Sequence, residues 1–127
     1  MAIPSGSGTE VIRCGRWQTQ ATDVTSFVFN GGNPTLGTET DTVPANHIIT
    51  VLMISFCETA GAAEIFHLWA TCDSKLVYLL QYQDLASTAT FVWNTKFVLI
   101  GGDYLKTGTA GAADIDVVYS YLDQDWS

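Results

Sequence analysis

His47-Ile48-Ile49-Thr50-Val51-Leu52-Met53-Ile54-Ser55-Phe56-Cys57 is the stretch from which the fold is read. β-Branched, aliphatic and aromatic residues fill it, and they pack well on a pleated surface. Thr50 and Ser55 interrupt it, and Ile48 to Cys57 is about half the length a membrane-spanning helix needs. It therefore predicts a strand. Read with strict alternation, Ile48, Leu52, Ile54 and Phe56 share one face and Ile49, Val51, Met53 and Cys57 the other. Both faces are then apolar, whereas strands of antiparallel sheets usually keep one face wet. Such a strand lies between two covered layers or faces a neighbouring subunit. This reading makes Val51, Leu52 and Met53 candidate self-association residues.

Working outward, short segments of the same character recur between turn residues. Upstream are Glu10 to Trp17 and Thr25 to Phe29, then a polar loop from Asn30 to Asn46. Downstream are Glu64 to Thr71, Lys75 to Tyr82, Thr88 to Trp93, Lys96 to Ile100, Asp103 to Thr107 and Ile115 to Leu122. About nine closely spaced strands predict an all-β fold, an antiparallel β-sandwich or a barrel. Ser74 to Ala86 is ambiguous, because Leu76, Leu79 and Leu80 also fall at helical spacing. The tight connection at Asp73-Ser74 favours a hairpin. One domain, residues 10–127, accounts for the chain, preceded by a flexible arm at residues 1–9 that is small, polar and glycine-rich. Ile3 and Pro4 are the arm's candidate anchors on a partner.

Charge narrows the function classes. Charged residues make up 14% of the chain and hydrophobic residues 47%, against about 25% charged in an ordinary soluble domain. A surface so poor in charge predicts cover by other copies or by a larger assembly. Net charge is −8, and Arg13, Arg16, Lys75, Lys96 and Lys106 form no run. Neither nucleic acid nor an anionic membrane is therefore an expected partner. The first residues lack the basic and apolar regions of a secretory signal, so folding in a cytoplasm is expected. Cys14, Cys57 and Cys72 are far apart and lack zinc-site spacing, and reduced, largely buried thiols are expected.

Catalytic material is sparse. His47 opens a strand, where an edge position is the ordinary explanation, and His67 lies between Ile65 and Trp69 on one strand face, as a packed or hydrogen-bonded ring. No nucleophile elbow or phosphate-binding glycine loop occurs. Asp114 with Asp116, and Asp123 with Asp125, have the spacing of shared calcium ligands, but no EF-hand pattern surrounds them. No enzyme activity, cofactor or metal is expected. Trp17, Trp69, Trp93 and Trp126, with Tyr104, are candidate stacking platforms for sugars or buried interface rings. Trp93, just before a turn, is also a candidate partner contact.

Ile3-Pro4-Ser5-Gly6-Ser7-Gly8-Thr9-Glu10-Val11 resembles the start of small virion proteins of tailed bacteriophages. So do Phe56-Cys57-Glu58-Thr59-Ala60, Glu64-Ile65-Phe66, Tyr78-Leu79-Leu80, Phe91-Val92-Trp93-Asn94, Lys96-Phe97-Val98-Leu99, Gly102-Asp103-Tyr104-Leu105 and Asp116 to Leu122. Together they cover most of the chain except the loop at Asn30 to Asn46. The resemblance implies a jelly-roll β-sandwich used as a capsid decoration, or cement, protein, with no catalytic residues. The resulting expectation is a homotrimer that binds the phage major capsid protein on the outside of the virion and bridges capsid subunits. A tail or fibre module that binds a host receptor or glycan is the alternative, and a calcium-dependent adhesin-like domain the third reading.

Overall fold

The computed structural model describes residues 8–19, 24–111 and 114–126, and every regular element among them is a strand. In chain order these are β1 (Thr9–Thr19), β2 (Thr25–Ser26), β3 (His47–Glu58), β4 (Glu64–Cys72), β5 (Lys75–Leu85), β6 (Thr90–Trp93), β7 (Phe97–Ile100), β8 (Tyr104–Thr109) and β9 (Ile115–Asp125). All pairings are antiparallel. One sheet runs β1-β9-β3-β6, with β7 also on β3, and the other runs β2-β8-β4-β5. β6 pairs with Ile54 to Cys57 and β7 with Ile48 to Val51, so the two act as one interrupted edge strand along β3. Counted that way, the strands distribute between the sheets in the order of a jelly roll. The fold is an antiparallel β-sandwich.

The expected strands are all present, with shifted ends. Ser74 to Ala86 is strand rather than helix: β4 and β5 pair from Cys72↔Lys75 outward, and Asp73 and Ser74 take positive φ at the turn. β2 is shorter than expected, although Phe27 N–H still donates to Leu105 C=O. The loop over residues 30–46 is not simply a solvated connection. Val43 is buried, and its N–H and C=O bond to Asp103 and Gly102. The flexible arm cannot extend to residue 9, because Thr9 pairs with Asp125 and a side chain at Gly8 would meet Asp125 C=O. Ile3 and Pro4 lie outside the described residues.

β3 departs from strict alternation. Val51 stands opposite Tyr121 and Met53 opposite Ser120, which leaves Leu52 as the extra residue of a β-bulge. The bulge reverses which parity faces inward. Ile49 and Val51 face the core before it, and Ile54, Phe56 and Glu58 after it. The apparent two-sided apolarity is therefore partly one core face read across a register shift.

Two aromatic groups fill the space between the sheets. At one end Trp17, Phe27, Phe29, Tyr119 and Tyr121 meet, mostly edge to face, with ring centroids 4.9–6.4 Å apart. At the other, Phe56 lies 4.3 Å from Phe66, and Phe91 closes on both. Gly15 makes the first group possible: a Cβ there would sit 2.3 Å from the Tyr119 ring. Tyr119 and Tyr121 are fully buried but keep hydrogen-bond partners. Tyr119 Oη donates to Val28 C=O and accepts from Val28 N–H, and Tyr121 Oη accepts from Gly31 N–H. Burial pushes both phenols up from their ordinary pKa.

Candidate interaction surface

The outer face of the five-stranded sheet is the region where sequence and packing disagree most with an isolated molecule. Its residues follow from the register. Leu122 on β9 pairs with Ile12 on β1 and Thr50 on β3, and Thr50 pairs with Val98 on β7. On one side lies the row Gln124-Ile48-Ile100, and on the other Cys14-Ser120-Met53 and then Arg16-Val118-Ser55-Val92. Ile12 is 71% exposed and Val98 56%, with Val92, Val118 and Ile100 also exposed. Leu122, Ile48, Leu52 and Met53 are half-buried among them. Charge on this face is confined to its margins, at Glu10, Arg16 and Asp116. Glu10 and Asp116 already accept hydrogen bonds from Gln124 and Gln18. Scattered exposed aliphatics are ordinary on proteins, and their gathering on one face with so little charge makes this face the candidate interaction surface.

A second patch adjoins it. Ring contacts place β6 above β4, so the β6–β7 edge of one sheet and the β5 edge of the other bound the same open rim. Trp93 and Phe97 are half-buried there, 6.4 Å apart, and Val77, paired with buried Ala70, remains exposed on β5. The indole N–H of Trp93 is enclosed without a hydrogen-bond partner.

The sequence candidates separate clearly on this geometry. Val51 has no accessible surface and belongs to the core, so it leaves the set of partner-facing residues. Leu52 and Met53 remain half-exposed, Leu52 because it is the bulge residue. Trp93 is at the rim rather than freely exposed, and Trp126 is likewise half-buried with an enclosed indole nitrogen. Sequence reading missed Ile12, Val92, Val98, Ile100 and Val118. The signal in the sequence is thin: Val98 and Ile100 alternate in β7, but in β9 Val118 and Leu122 alternate with Asp116 and Ser120, as in any half-exposed strand.

The titratable groups are held for structure. His47 is not at an edge. Its Nδ1 lies 2.7 Å from Asp123 Oδ1 and its Nε2 3.6 Å from Asp125 Oδ1, and Arg13 Nε donates to Asp123 Oδ2 at 3.3 Å. The group ties β1, β9 and β3 together at one end of the sheet. The Asp123 carboxylate fixes the ring through Nδ1, while Asp125 lies beyond hydrogen-bond distance of Nε2. This group borders a cleft of about 480 Å³ lined by Val43, Asn46, His47, Ile100, Gly102 and Trp126. His67 is packed and hydrogen-bonded, with Nδ1 accepting from Tyr82 N–H at 3.1 Å.

Glu58 is buried at the end of β3, and its carboxylate accepts from the N–H groups of Thr88, Ala60 and Gly61. These bonds, Thr88 first, hold its pKa below the usual carboxylate value against the opposing effect of burial. Among the described residues no group of three or more His, Cys, Asp or Glu side chains is placed to hold a metal. The thiols are free, but Cys14 is exposed and Cys57 and Cys72 only half-buried, which corrects the expectation of largely buried cysteines. Cys14 and Cys57 sit on the outer face of their sheet, where alternation alone cannot distinguish core from surface. Burial, and Asp103 beside it, push the Cys72 thiol up.

No family model matches the chain, and no curated protein does. Among solved structures, the globular domain of zebrafish complement 1qA protein aligns with a TM-score of 0.43 at 16% identity, over 96% of this chain and 95% of that one.

Proposed function

We propose that the protein is a capsid decoration protein of a tailed bacteriophage, which docks on the outside of the shell and stiffens it by bridging major capsid protein subunits. The observation that carries this reading is the charge-poor aliphatic band of Ile12, Val92, Val98, Ile100 and Val118 on the outer face of the five-stranded sheet. The resemblance of the strand-and-turn segments to small phage virion proteins supplies the biological setting. A net charge of −8 suits a site away from packaged nucleic acid.

The energetics fit a repeated contact. Covering a half-exposed Val or Ile is worth about 1 kcal/mol, so the five residues give roughly 5 kcal/mol per copy. That is less than the ~8 kcal/mol of a micromolar complex. The band alone would hold a single copy weakly, and many linked copies firmly. A cyclic trimer needs two different patches on each subunit, because its contacts are head to tail. The rim at Trp93, Phe97 and Val77 supplies one of them and leaves the band free for the shell. In this arrangement the protein does no chemistry, and its work is the burial of apolar surface between neighbours. Electron cryo-microscopy of virions from the encoding phage tests the reading: density fitting this sandwich on the outer shell supports it, and a shell without that density overturns it.

A further inference from the structure

The outer face of the four-stranded sheet differs in kind from the aliphatic band. Lys106 on β8 pairs with Trp69 on β4, which pairs with Tyr78 on β5, so one row across the sheet is cation, indole and phenol. In the next row His67 stands beside Gly108, and Tyr82 caps it from β5 at 4.7 Å between ring centroids. Gly108 has a specific use here. A Cβ at that position would press on Val24 Cγ2 at 3.2 Å and on the Trp69 ring at 3.3 Å, so the glycine gives the indole room beside β8. Tyr78 is 47% exposed and Tyr82 66%.

These rings lie against one another. Trp69 and Tyr78 lie 5.9 Å apart, and His67 contacts both Tyr78 and Tyr82. Tyr82 occupies the left-handed region at φ 52°, unusual for an aromatic residue, where β5 breaks register with β4. The positive φ goes with that bulge, and it brings the Tyr82 ring over His67 on the outer face. The Tyr82 N–H bond to His67 Nδ1 also sets the tautomer of the neutral ring, so its Nε2 carries the proton and is a donor.

We propose that this strip, Trp69, Tyr78 and Tyr82 with His67 and Lys106, binds a neutral polysaccharide. Sugar rings present C–H faces that pack on flat aromatic surfaces, and hydroxyls that need hydrogen-bond partners beside those surfaces. This face interleaves both: the rings of Trp69, Tyr78 and Tyr82 lie beside the His67 Nε2–H and the tyrosine hydroxyls. Charge argues against a polyanion: Lys106 is the face's cation, it sits 4.8 Å over the Tyr104 ring, and the chain as a whole is acidic. The two sheets face opposite ways, so docking through the aliphatic band would leave this strip turned to the medium. The strip's own argument does not depend on that docking.

The test uses the full chain in solution, titrated calorimetrically with soluble dextran, mannan, galactan and β-glucan, alongside Tyr78→Ala/Tyr82→Ala. Both tyrosines are exposed, so the double variant should keep the wild-type circular dichroism. The expected result is saturable binding of at least one polysaccharide, weakened about tenfold or more in the variant, a loss of roughly 1.4 kcal/mol. Failure to bind any of the four, or binding that the double variant leaves unchanged, would overturn the proposal. So would a fall in the protein's solution mass in the variant without any polysaccharide binding, which would make the strip a contact between copies. None of these outcomes depends on whether the protein docks on a capsid.

Discussion

Replacing Tyr119 with Phe removes one oxygen atom and tests how the sandwich is closed. The hydroxyl both donates to Val28 C=O and accepts from Val28 N–H, so Tyr119→Phe leaves two backbone groups without their partner. A buried polar group stripped of its partner costs about 1–3 kcal/mol. Val28 is half-buried, so water can reach part of what is lost, and about 2 kcal/mol is the reasonable total. At the usual unfolding entropy of about 2.1 cal/mol/K per residue, that lowers Tm by roughly 7 °C for a chain of this length. Tyr121→Phe is the control. Its hydroxyl serves Gly31 N–H, and Gly31 is exposed, so water replaces the bond and Tm should fall by about 3 °C or less. Differential scanning calorimetry of both variants decides the point. A Tyr119→Phe melt within a degree or so of wild type, or a larger drop for Tyr121→Phe, would refute this account of how β9 is tied to the segment after β2.

Three further outcomes follow from the packing. Val51→Asp places a charge in the closed core and should abolish cooperative folding by circular dichroism, a cost of several kcal/mol; a folded variant would mean β3 is read in the wrong register. The folded-state pKa of Glu58 is depressed, so its contribution to stability is present above the ordinary carboxyl value of about 4.3 and lost as pH falls through the folded value. Tm scans against pH should therefore show wild type more stable than Glu58→Gln near neutrality, with the gap closing in acid; a constant gap would contradict the reading. Cys14 should react with a thiol reagent in the native protein faster than Cys57 or Cys72, as followed by mass spectrometry of labelled peptides.

Much of the fold was legible in the sequence because strand chemistry and turn chemistry agree along the chain. Lys75 to Leu85 shows how the one ambiguity resolved. Leucines at helical spacing lost to the Asp73-Ser74 turn, which fixes β5 against β4. The bulge at Leu52 was not legible, since an extra residue leaves no mark on composition and only pairing with β9 exposes it. That one shift moved Val51 from candidate interface to core. The interaction band was hidden for a related reason. Ile12, Val98 and Val118 stand on different strands and form a surface only once β1, β9, β3 and β7 are aligned. The His47–Asp123–Arg13 group likewise joins residues from three strands, beyond the reach of spacing arguments.

The most direct test of the aliphatic band is sedimentation of the protein with phage heads prepared without it, comparing wild type with Val98→Asp/Val118→Asp. Both positions are exposed, so the double variant should fold as wild type does. Light scattering on the same samples reports self-association. The account predicts that wild type forms a trimer at micromolar concentration and pellets saturably with heads, and that the folded variant loses at least the binding to heads. A folded variant that binds heads as tightly as wild type would contradict the assignment of this face, and a wild-type protein that never pellets with heads would contradict the proposed function.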